Sequence, residues 1–158
     1  MKLTRRDDWP EQLGALIEER AFVPFVWGVN DCALFACDAI QTTVGIDVAA
    51  PFRGRYDSAA SASAAMLGFI AERDRPFLEI AQEDRQELLE HVAEIIAAEH
   101  ELREVEIPFA RRGDAVLFEG EHGATLGVVG MDGMTIVAPG PTGLLARPLA
   151  EARRAWRV

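Results

Sequence analysis

At 158 residues the chain has the length of one domain, and it is long enough to bury a core without a disulfide or metal staple. Its 49% apolar and 27% charged residues form an ordinary globular mixture, which excludes disorder for the bulk of the chain. The 26 acidic and 16 basic side chains leave a net charge of −10, a sign that opposes binding to nucleic acid, whose phosphates need a basic surface.

No apolar run approaches the ~18–20 residues of a membrane span. The charged start, Met1 to Asp8, has no apolar stretch behind it, so neither a signal peptide nor a lipid anchor is expected and the chain reads as cytoplasmic at synthesis. Cys32 and Cys37 are the only cysteines, and no zinc-finger, HExxH, EF-hand, P-loop or GxGxxG spacing occurs. No metal or cofactor is therefore expected.

The first predicted helix covers residues 10–20, with Pro10 in its first turn and Leu13, Leu16 and Ile17 on one face. Phe22 to Gly28 is aromatic, β-branched and broken by Pro24, which predicts an extended approach ending in a turn at Gly28-Val29-Asn30. A second helix starts abruptly at Cys32, capped by Asn30 or Asp31, and ends near Thr43 with Gly45 as its stop. Its apolar residues run all round, the mark of a buried helix. A loop at 51–56 leads to Ser58, the cap of a small-residue helix over 59–72.

Residues 77–104 carry Leu88, Leu89, Val92, Ile95 and Ile96 at helical spacing, predicting a long amphipathic helix. From Glu72 to Glu106 there are 12 acidic and 4 basic residues, net −8 of the chain's −10. This acidic face is either solvated or a docking element for a basic patch on a neighbour. His91 and His100, on the same helix, are expected at the surface.

Beyond Pro108 the pattern changes to strands at 115–118, 125–129 and 134–138, joined by Gly-containing turns, with further strands at 144–146 and 155–158. Asp114, after Gly113, reads as a turn residue. Helices first and strands later predict a single α+β domain over 1–158 with an antiparallel sheet.

The sharpest chemical feature is Cys32 at the first turn of a buried helix. The helix dipole and free N–H groups at that position favour a thiolate and supply donors for an oxyanion. Its bland counterpart is a small buried hydrophobe. Cys37, five positions on, lies about 140° round the helix and is no redox partner.

The block Phe25-Val26-Trp27-Gly28, then Asp31-Cys32 and an apolar helix, resembles the nucleophile segment of the NlpC/P60 cysteine peptidases. Arg112-Gly113-Asp114-Ala115-Val116-Leu117-Phe118 is similar to that family's P-G-D-L-V-F-F strand, and Leu126 to Gly133 to its V-G-I-Y hairpin. The Cys-Ala-Leu-Phe helix start and the closing Arg-Arg-Ala-Trp-Arg-Val further resemble small NlpC/P60-like proteins of phage, prophage and gene-transfer-agent tail modules. The resemblance implies a papain-like fold, with the 77–104 helix inserted between its halves. It also implies a place in the tail tip of a virion, other tail-tip or hub proteins as partners, and peptidoglycan peptides as substrate of active relatives.

Three positions depart from the enzyme pattern. Thr125 stands where the resemblance puts the catalytic histidine, Val137 where it puts the third polar residue, and Ala33-Leu34 replace Ser-Gly. Only the nucleophile, Cys32, carries over. His122, three residues before Thr125, is the one candidate base, against the alternative of a solvated turn histidine. Asp31 is either a helix cap or an orienting group, and Trp27 either lines a groove beside Cys32 or fills the core. The expectation is thus a tail-tip component with a degenerate site, or alternatively a peptidase working through Cys32.

Overall fold

A computed structural model describes residues 1–80 and 88–158 of the chain. Helix α1 (Trp9–Arg20) buries Leu13 and Leu16, and α2 (Cys32–Val44) ends on Gly45 in the left-handed conformation. Helix α3 (Ala59–Arg73) is opened by a capping box in which Ser58 and Ser61 each satisfy the other's backbone N–H.

Of the acidic helix expected over 77–104, the stretch 81–87 lies outside the described residues; the described flanks are helical, as α4 (Arg75–Ile80) and α5 (Leu88–Glu99), and the helix ends at Glu99, short of the expected 104. Glu101 takes a left-handed φ of 55°, and the Leu102 N–H returns to the Ala97 carbonyl at 2.8 Å, a wrap that closes α5. The chain then turns into a three-residue strand, β1 (Arg103–Val105).

Strands β2 (Ala115–Gly120), β3 (Gly123–Val129), β4 (Thr135–Gly140), β5 (Gly143–Pro148) and β6 (Ala152–Arg157) complete a six-stranded antiparallel sheet in the order β1-β6-β2-β3-β4-β5. The protein is therefore α+β, helices preceding strands. Both faces of the sheet are covered. Leu117, Leu126, Val128 and Trp156 pack with Leu13, Leu16, Phe35 and Ala39 of α1 and α2. Val116, Phe118, Val129, Ile136 and Ala155 form the opposite layer, closed by Ala110, Ile107 and Leu149.

The acidic surface has a partner inside the chain. Arg154 on β6 pairs with Glu90, Glu94 and Glu104, and Arg153 pairs with Glu90 and Glu119. His91 is not a free surface residue. It stacks on Phe77 with centroids 3.7 Å apart and bridges Asp74 and Glu94. His100 buries an Nδ1 without a hydrogen-bond partner among the described residues. Asp114 is no mere turn residue either: wholly buried, it accepts Arg5 and Arg157 at 2.9 Å each and the N–H groups of Arg111 and Val158. One carboxylate thus ties the beginning of the chain to its end. Among the described residues no helix is long and apolar enough to cross a membrane.

Candidate functional site

The approach to Cys32 is fixed by short-range hydrogen bonds. Phe25 donates its N–H to the Gly140 carbonyl at 2.9 Å, and Asn30 closes the turn by donating to the Val26 carbonyl at 2.8 Å. Gly28 has φ 75°, and a Cβ there would lie 2.0 Å from the Tyr56 carbonyl oxygen, so the turn requires glycine. The side chain of Asn30 holds this approach instead of capping α2. It accepts from Arg20 and donates to the carbonyls of Val23 and Pro24.

Asp31 is the cap. Its Oδ1 accepts the Leu34 N–H at 2.9 Å, and its Oδ2 accepts the Gly28 N–H at 2.9 Å and the Tyr56 hydroxyl at 2.6 Å. Those bonds occupy the carboxylate with the turn and the phenol, and burial together with Asp31 pushes the Tyr56 phenol above its ordinary range.

The β3–β4 ladder stops short of Pro139, which borders the cleft with Cys32. The Val129 N–H bonds to the Asp114 carbonyl on the β2 side, whereas the Gly130 N–H bonds to the Thr135 carbonyl on the β4 side. Alternation along β3 therefore aims the backbone groups of Val128, Leu126 and Ala124 toward β4. The β3–β4 pairs are Val128↔Val137 and Val129↔Ile136. The next rung would meet Pro139, which has no N–H, and the two strands part there. The start of α2 fills the gap, and the freed Leu126 N–H faces the Cys32 sulfur.

Cys32 is only partly accessible, and burial pushes its thiol up to about 11. The N–H groups of Leu126, Ala33 and Cys32 itself oppose that effect, while the charge of Asp31 adds to it. The net balance is a protonated thiol at neutral pH, the reverse of the helix-dipole expectation. Cys37 is buried and pushed up to about 12.

Cys32 lies between two lobes of a cleft, of about 300 and 490 Å³, and Trp27, His122 and Ala124 line both. Trp27 is a groove residue, 40% exposed and edge-on to Phe25. His122 sits exposed at the tip of the two-residue turn between β2 and β3, and it forms no hydrogen bond with the sulfur.

Thr125 is not turned to Cys32. It pairs with Phe118, shares that residue's face away from α2, and donates its hydroxyl to the Gly123 carbonyl at 3.0 Å. The β3 residue on the α2 face beside Cys32 is Ala124. Val137, paired with Val128, lies on that face as well. The structure thus brings Trp27, Asp31, Cys32 and His122 together, while Thr125, its side chain on the opposite face of β3, lines only the second of the two lobes that Cys32 borders. Tyr56, Met66, Leu89 and Ala124 were not foreseen as site residues. The chain's single tyrosine, in a polar loop, was a signal that pointed to Tyr56.

These features define an α+β protein with a cysteine at a helix start, set in a cleft against an antiparallel sheet. The chain belongs to the family described as a domain of unknown function, DUF6950, whose model matches residues 4–72 and 80–158. Neither a curated protein nor a solved structure matches it.

Proposed function

We propose that the protein is a component of a phage-like tail tip, built on a papain-like NlpC/P60 fold whose cleft no longer performs peptidase chemistry. The observation that carries the loss of catalysis is the pair of apolar side chains, Ala124 and Val137, on the face of β3 and β4 toward α2. A thiol nucleophile needs a neighbouring base and a group that orients it, and neither alanine nor valine can exchange a proton. The raised thiol is consistent with that loss. The tail assignment rests on the Trp-Gly/Asp-Cys, Gly-Asp-x-Val-x-Phe and terminal Arg-Arg-Ala-Trp-Arg-Val resemblances. Other tail-tip or hub proteins are its partners on this reading, and the assembled virion is its location.

Two measurements test the reading. Mass spectrometry of purified particles from the source strain should find the protein, and its absence from them would refute the tail assignment. Replacing Cys32 with alanine should leave particle assembly and infectivity intact, and infectivity lost with normal assembly would refute the non-catalytic role.

One observation favours a second reading, an active peptidase on cell-wall peptides. The N–H groups of Leu126, Ala33 and Cys32 lower the thiol, and His122 lines both lobes. In that mechanism His122 takes the thiol proton, sulfur attacks the scissile carbonyl, and the leaving amine departs with the proton. Water then hydrolyses the thioester. Peptide release from sacculi that disappears in both Cys32→Ala and His122→Ala would establish it.

A further inference from the structure

The cleft has a chemistry of its own, independent of the sulfur. β3 leaves β4 at Pro139, and alternation aims the N–H and C=O of Ala124 into the opening. Toward β2 Ala124 forms the pair with Glu119 in which the backbone groups point away from each other, and the β3–β4 pairs, Val128↔Val137 and Val129↔Ile136, do not reach it. A strand edge of this kind accepts one class of ligand well, an extended peptide that continues the ladder.

The adjoining lobe of about 300 Å³ fixes the side chain such a peptide would carry. Its described lining includes Phe52, Tyr56, Met66, Leu89 and Val92 and contains no lysine or arginine. The one carboxylate in its described lining, Asp31, is already bonded to Leu34, Gly28 and Tyr56. An anionic side chain entering here would lose water and meet Asp31, with His122 the one basic side chain in the described lining. A bulky apolar side chain would meet the apolar part of the wall, Phe52, Met66, Leu89 and Val92.

We infer that the cleft is a docking groove for an extended peptide segment of another protein, which pairs with the backbone of Ala124 and seats a bulky apolar side chain among Tyr56, Met66 and Leu89. This chemistry differs from that of carboxylate-rich cell-wall peptides, and it does not require catalysis. The Trp27 ring, shared by both lobes, borders the bound segment.

The test uses the full chain, ¹⁵N-labelled, and peptides of the form acetyl-Thr-X-Thr-X-Thr-amide with X as Ala, Leu, Phe, Glu or Lys. The Leu and Phe peptides should shift the Ala124 amide and bind about tenfold more tightly than the Glu peptide. N-methylating the central threonine of the Leu peptide should weaken binding about tenfold, because it removes one backbone donor. Met66→Glu should abolish the preference for Leu over Glu, with the fold checked by circular dichroism. If Met66→Glu does not fold, the N-methyl comparison on the wild type reads the same site. No shift at Ala124 with any peptide, equal binding of the Glu peptide, or equal binding of the N-methyl peptide would each overturn the inference. Chromatography of the recovered peptides separates the two proposals: cleavage would refute the non-catalytic reading and leave the groove in place.

Discussion

Asp114 is the residue on which the joining of the chain's two ends depends, and Asp114→Asn measures its weight. The substitution keeps shape and removes charge. Oδ1 accepts Arg5 and the Val158 N–H, and Oδ2 accepts Arg157 at 2.9 Å and the Arg111 N–H at 2.8 Å. An amide nitrogen in either place turns two of the four bonds into donor–donor contacts, one of them with an arginine. A bond to a charged group contributes about 1.5–3 kcal/mol and a neutral one about 1 kcal/mol. Together with the loss of charge from a fully buried pair, the cost is about 3–4 kcal/mol. For a chain of this size that lowers Tm by roughly 6–16 °C. Urea denaturation followed by far-UV circular dichroism gives the free energy, and thermal melts give Tm. A loss below about 1 kcal/mol would show that water or a rearranged arginine replaces the carboxylate, and the account of the joined termini would fail.

Ala124→His should lower the apparent pKa of Cys32, since its imidazole would stand on the α2 face of β3, whereas Thr125→His should leave it unchanged; equal effects from both, read by thiol alkylation, would refute the facing assigned to β3. Arg154→Ala should cost about 1–2 kcal/mol in urea, because three carboxylates lose a partly exposed counter-ion and Trp156 loses the guanidinium over its ring. In the wild type Arg154 holds the Glu104 carboxyl below its ordinary 4.5, and for Glu94 the bonds from Arg154 and His91 outweigh the raising effect of burial. Such depressed carboxyls stabilise the fold above pH 4.5 and lose that contribution as pH falls through their folded values. The wild type should therefore lose more stability between pH 5 and pH 3 than Arg154→Ala, and parallel pH profiles would contradict the pairing.

What was legible in the sequence is what short-range chemistry decides. Asp31 before Cys32, Ser58 before Ala59 and Gly45 after Val44 mark helix ends through bonds spanning a few residues, and they fall where they were read. The hairpin strands were legible because glycine punctuates them at Gly120, Gly123 and Gly133. Strand β1 was not, because three residues flanked by charge have no period, and its pairing with β6 reaches across about fifty positions. The fate of the acidic face was hidden for the same reason: Arg154 lies 60 residues from Glu94. Among the site residues, Trp27, Asp31 and Cys32 followed from one local turn. The residue facing Cys32 did not, since it depends on the face to which β3 turns each side chain. The register of β3 with β2 and the layer to which Phe118 belongs set that face, and an alignment onto a resembling motif contains neither.

The central claim is that Cys32 keeps the position of a nucleophile without its activation. The pH dependence of its alkylation by iodoacetamide, in Cys37→Ser so that one thiol reports, tests this directly. The account predicts an apparent pKa near 11, unchanged by His122→Ala. It also predicts alkylation at pH 7.5 slower than that of free cysteine, ordinary pKa about 8.5, by roughly two orders of magnitude. An apparent pKa at or below 8.5 that rises when His122 is lost would contradict it and establish a working cysteine–histidine pair.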